Sequence, residues 1–174
     1  MNAALVELLA VFFAAGRPLS DRELAHGLER AEEEIRRLVG ELGRQLEDGG
    51  HGVALEEVAG GWRLIVHPRF VDRVQRVLRP RPPRLSPAAL EVLAIVAYHQ
   101  PITRPEIEAM RGKSSDGVLE GLLERGLVEV VGEKPVVGRP RLYATTQRFL
   151  ELFGLASLDD LPPLEEGPAL LLRD

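Results

Sequence analysis

Apolar residues fill two stretches of this chain almost without interruption. Ala3 to Ala15 carries Glu7 as its only charge, and Ala88 to Tyr98 carries only Glu91. A helix that is apolar nearly all round is covered on more than one side. Each stretch is followed by the same signal. Ser20 and Glu23 have the spacing of a capping box, with Leu19 and Leu24 as its hydrophobic staple. Thr103 and Glu106 repeat the box, and Ile102 and Ile107 repeat the staple, each 83 positions further on (103 − 20 and 106 − 23). Self-similarity at a fixed offset predicts two copies of one fold.

The rest of each half follows suit. Ile35, Leu38, Val39, Leu42 and Leu46 recur at helical spacing and predict a third helix over 31–47, with Glu32, Glu33 and Glu34 in its first turn. Strands over 53–59 and 62–66 flank Gly60-Gly61, a two-residue hairpin signal. Pro68 then opens a helix to about Leu78. In the second half Ser86 caps a helix with Pro87 at its first position, running to about His99. A third helix is predicted from Ser115 to Arg125, with Val118, Leu119, Leu122 and Leu123 inward and Gly126 as its stop. Strands over 127–131 and 141–145 enclose the loop GEKPVVGRP. Thr146 caps a last helix carrying Phe149, Leu150, Leu152 and Phe153.

Each half therefore reads helix, helix, helix, hairpin, helix, the winged helix-turn-helix order. The expected fold is mainly α with small β-hairpin wings (α+β), two such domains in tandem. The N-terminal domain covers 1–78 and the C-terminal domain 85–162. Between them RPRPPR, 79–84, holds three prolines in six residues and reads as a stiff linker. The segment 163–174 is expected to be a tail without fixed structure.

Composition narrows the function. There is no cysteine, so no disulfide or thiolate metal site. His26, His51, His67 and His99 are scattered without metal-ligand spacing. No nucleophile elbow or phosphate loop is present, so no catalytic residue, cofactor site or metal site is read from the residues. The N-terminal apolar run lacks a basic leader and is too short to span a bilayer. Net charge is −5, with twenty arginines and two lysines as the cations. A free-standing DNA binder usually shows a basic surplus.

The run LSPAALEVLAIVAYHQPITRPEIEAMRG, then SSDGVLEGLLERGLVEVVG, then GRPRLYATTQRFLELFGLASLDDLP resembles segregation and condensation protein B, densely over Leu85 to Pro162. The resemblance implies two winged-helix domains, a homodimer and no catalytic activity. It also implies a role as adaptor subunit of the bacterial SMC–kleisin complex, in chromosome condensation and segregation. The expected partners are the kleisin subunit (ScpA) and, through it, the SMC ATPase, with no membrane and no small-molecule substrate. The expected location is cytoplasmic and nucleoid-associated. A winged-helix transcriptional regulator is the alternative.

Two surfaces are expected. Leu5, Leu8, Leu9, Phe12 and Phe13 cover more than one face of the first helix and are assigned to a dimer interface. In the second apolar helix Leu90, Leu93, Ala94, Ala97 and Tyr98 are assigned inward, so Val92, Ile95 and Val96 face a kleisin segment. Arg111, Gly112, Gly138, Arg139 and Pro140 are expected at its rim. The positions that would read DNA bases, Ser115, Asp116, Gly117 and Glu120 and the Glu32–Glu34 run, are acidic or small. Lys113, Lys134 and Arg141 add cations beside Arg111 and Arg139 along one edge. DNA contact is therefore expected to be indirect or weak.

Overall fold

A computed structural model describes residues 2–78 and 85–163. The chain divides into two compact units, 1–82 and 83–174. The expected linker, and all of the expected tail except Pro163, lie outside the described residues.

In the first unit α1 spans Ala3–Ala15, α2 Asp21–Gly27, α3 Glu32–Asp48, β1 Val53–Val58, β2 Gly61–Val66 and α4 Val71–Leu78. Asn2 Oδ1 accepts from the Leu5 amide at 3.0 Å and so caps α1. The Ser20–Glu23 capping box is complete and starts α2. The five apolar positions of α3 are all buried, against Leu5, Leu8 and Phe12 of α1 and Leu24 and Ala25 of α2. Trp62 and Leu64 of β2 close that core from the sheet side.

The hairpin turn falls one residue earlier than its glycine pair suggests. Val58 pairs with Gly61, so Ala59 and Gly60 form the loop, with φ of 55° and 69°. Gly61 serves another purpose. A Cβ there would stand 2.7 Å from the Leu19 carbonyl carbon and oxygen. That close approach lets Leu19 and Trp62 exchange both backbone hydrogen bonds at 2.9 Å.

In the second unit α5 spans Pro87–His99, β3 Ile102–Thr103, α6 Arg104–Arg111, α7 Asp116–Glu124, β4 Val128–Glu133, β5 Arg141–Thr145 and α8 Gln147–Phe153. The three strands form one antiparallel sheet, ordered β3-β5-β4. The Thr103–Glu106 capping box is complete as well. The repeat extends to the sheet: Ile102 pairs with Tyr143 of β5, as Leu19 pairs with Trp62 of β2. The core gathers Ile107, Leu119, Leu122, Leu127, Val128, Tyr143 and Phe149.

One helix face differs from the expectation. On α5 the buried residues are Val92, Leu93, Val96 and Ala97, at i, i+1, i+4 and i+5, which is one stripe of a helix. Leu90, Ala94 and Tyr98 sit beside that stripe and are only half-buried. The Tyr98 hydroxyl donates to the Pro162 carbonyl at 2.6 Å, bringing the chain's return path across α5.

Candidate functional site

The candidate surfaces must be built from side chains that the two cores leave free. On α1, Leu5 and Leu8 have no exposed area and Phe12 is 3 % exposed. These three belong to the unit's own core, so of the residues assigned to a dimer face Leu9 and Phe13 remain. Leu9 is half-buried and Phe13 is 81 % exposed. Val6 is 48 % exposed on the same helix.

The face expected to meet the kleisin changes in the same way. Val92 and Val96 have no exposed area, so neither can touch a second chain. Ile95 is half-buried and packs on the edge of the core. Arg111 also turns inward. Its Nη1 donates to the Ser114 carbonyl at 3.0 Å and to Ser115 Oγ at 2.8 Å, and Nε and Nη2 both reach Glu91. Gly112 is exposed, with a left-handed φ of 65° that ends α6.

The wing between β4 and β5 is where the predicted residues stay accessible. Backbone bonds from Lys134 to Pro140, Val136 to Lys134 and Arg139 to Val136 shape its tip. Gly138 is exposed and Pro140 half-buried. The Arg139 side chain is 79 % exposed and pairs with Glu133 at 3.0 Å. Apolar residues missed by the sequence reading accompany it: Val130, Val131 and Val136 are exposed, and Val137 fully so. A register shift in β4 between Val130 and Gly132 turns Val131 out of the ladder. The signal was legible at the tip, because two valines between Pro135 and Gly138 in a hairpin turn have no core to enter.

Electrostatics at the third helices run against DNA. Arg36 pairs with Asp21 at 2.9 Å, Glu32 at 3.3 Å and Glu33 at 3.9 Å, and Arg30 pairs with Glu34 at 2.6 Å. At α7, Arg104 pairs with Asp116, and Glu108 Oε1 accepts from the Ser115 amide at 2.9 Å. Arg30, Arg36 and Arg104 are thus held by the chain's own carboxylates, where phosphates would otherwise bind. Lys134 is held too, donating to Glu106 Oε1 at 2.5 Å. That bond comes first, and the two from Thr103 next, in lowering the Glu106 pKa to about 2.

Among the described residues, no three His, Asp or Glu side chains gather as metal ligands, and no helix is long and apolar enough to cross a membrane. What the exposed surface at the β4–β5 hairpin and α1 offers is apolar and hydrogen-bonding side chains. The model of the family "Segregation and condensation complex subunit ScpB" matches residues 6–164. Segregation and condensation protein B of Moorella thermoacetica is 46 % identical over 169 residues, 97 % of this chain and 85 % of that one. The protein of the same name from Syntrophotalea carbinolica is 45 % identical, over 94 % and 82 %. ScpB from Mycobacterium tuberculosis, a crystal structure, is 32 % identical over 89 % and 98 %, with a TM-score of 0.42, a superposition too loose to bear on the fold. The chain belongs to the ScpB family, a subunit of the segregation and condensation complex.

Proposed function

We propose that this chain is a non-catalytic adaptor of the SMC–kleisin complex, built from two winged-helix domains. It pairs with a second copy through its N-terminal domain and holds a segment of the kleisin on its C-terminal domain, linked through the kleisin to the SMC ATPase. It works in the cytoplasm, at the nucleoid, and touches DNA weakly or through its partners. The observation that carries this reading is the wing of the C-terminal unit. Its tip presents Val136 and Val137 with Arg139, while the helices that would read bases are ringed by internal ion pairs. Exposed aliphatic side chains suit a peptide with apolar residues, and Arg139, paired with Glu133 through Nε and 79 % exposed, keeps guanidinium N–H groups for an acidic one. Ile95 and Gly112 remain as further contacts from the face first assigned.

The test is co-purification with the kleisin. Val137→Glu with Arg139→Glu changes two exposed side chains and leaves the core alone. Kleisin binding is expected to fall about tenfold or more, near 1.4 kcal/mol, with the circular dichroism spectrum unchanged. Undiminished binding by the folded variant places the kleisin elsewhere.

A further inference from the structure

Helix α4 is eight residues long and buries none of them. An isolated helix of that length is marginal in water and depends on packing of its apolar face. That face is Val74, Val77 and Leu78, continued by Phe70 of the preceding 3-10 turn; Val77 is 80 % exposed and Leu78 70 %. Together with Val66 of β2 and the Gly50-His51-Gly52 turn it lines a groove of about 680 Å³.

The groove has a charge of its own. Arg73 and His51 line it, and the Arg69 guanidinium lies 4.6 Å from the Phe70 ring centre. No carboxylate is among its lining residues. The chain as a whole carries a net charge of −5, so Arg69 and Arg73 at this rim run against its overall sign, with Asp72 the one acid on α4. The segment after Leu78, with Arg79, Arg81 and Arg84, carries the same sign as the rim and is no match for it.

We infer that this groove of the N-terminal unit binds an acidic amphipathic helix of a partner protein, aliphatic side chains on Phe70, Val74, Val77 and Leu78 and carboxylates toward Arg69, Arg73 and His51. Aliphatic anchors at i, i+3, i+4 and i+7 fit an apolar trough of this kind. Arginine at the rim selects carboxylates by paired hydrogen bonds. The site is on a different unit from the wing and goes beyond the kleisin reading.

The test uses the full chain and two fluorescein-labelled synthetic helices. Both carry leucine at i, i+3, i+4 and i+7; one has glutamate at the flanking positions, the other lysine. The glutamate peptide is expected to bind at least about tenfold more tightly in an anisotropy titration. The chain's overall negative charge works in the opposite sense, so bulk attraction cannot produce that order. Arg69→Glu with Arg73→Glu should invert the preference, and Val77→Ser with Leu78→Ser should weaken the glutamate peptide about tenfold; all four side chains are exposed, and circular dichroism checks the fold. Equal affinity for the two peptides overturns the inference, as does a preference that survives the double arginine change. Absence of binding by either peptide overturns it too, and is what a groove filled by a second copy or by the chain's own flanking segment would give.

Discussion

The guanidinium of Arg111 donates to one oxygen of Glu91 through both Nε and Nη2, each at 3.1 Å. The Arg111 side chain is 3 % exposed and that of Glu91 47 %. The arginine ends α6 yet reaches α5 and, through Ser114 and Ser115, the start of α7, so one side chain ties three helices together. Removing it leaves the buried Ser115 hydroxyl without that donor, while Glu91 regains water. Arg111→Met is expected to cost about 1–3 kcal/mol in urea unfolding. Arg111→Lys should recover only part of it, since a lysine cannot fork. An unchanged midpoint in Arg111→Met would show the clasp to be idle.

The two capping boxes predict an acid-sensitive fold. In the first, the Ser20 backbone bond, then Arg17, hold the Glu23 pKa at about 2; in the second, Lys134 and then Thr103 hold Glu106 at about 2. Both lie below the ordinary 4.5. A depressed carboxylate contributes stability that is complete above its unfolded pKa and lost as pH falls through the folded one. The loss should therefore run from about 4.5 down to 2. Glu23→Gln with Glu106→Gln is expected to flatten unfolding midpoints across that window; a slope equal to that of the parent would locate the acid sensitivity in other groups.

Glycines in the two units should respond with opposite sign. Gly61→Ala forces a Cβ against the Leu19 backbone, and is expected to cost about 1–3 kcal/mol by overpacking. Gly121 lies inside α7 with nothing within 4 Å of an added Cβ. Gly121→Ala should gain about 0.5–1 kcal/mol from helix propensity. Thermal melts of the two variants check the pair.

The proposed pairing through α1 would rest on Val6 and Phe13, the helix's most exposed large apolar residues, with half-buried Leu9 beside them. Val6→Glu with Phe13→Glu is expected to convert a dimer to a folded monomer in light scattering at micromolar concentration. A parent chain that is already monomeric there removes the N-terminal pairing.

Sequence-specific DNA binding is not expected from the isolated chain. Any binding should be non-specific, weaker than about 1 µM at physiological salt, and steeply salt-dependent, as phosphate contacts are. Nanomolar affinity for one sequence over scrambled competitor would restore the transcriptional-regulator reading.

What the sequence determined by itself is local. The Ser20–Glu23 and Thr103–Glu106 boxes close over three residues, and their hydrogen bonds need nothing from the rest of the chain. The five apolar positions of α3 lie among charges at helical spacing, so only one face could be inward, and all five are buried. Helices α1 and α5 are different, because they are apolar nearly all round and no face is marked. Which stripe of α5 enters the core was decided by where α7 and the sheet pack on it, and Val92 and Val96 went inward rather than toward a partner. Long-range backbone contact likewise moved the first hairpin turn, since Gly61 is needed where β2 meets Leu19. Arg111 reads as a surface cation in the sequence, and only the meeting of α5, α6 and α7 supplies the carboxylate and hydroxyl that bury it. Charge and hydropathy predict which residues can be solvated; which of them find a partner instead depends on elements brought together by the fold.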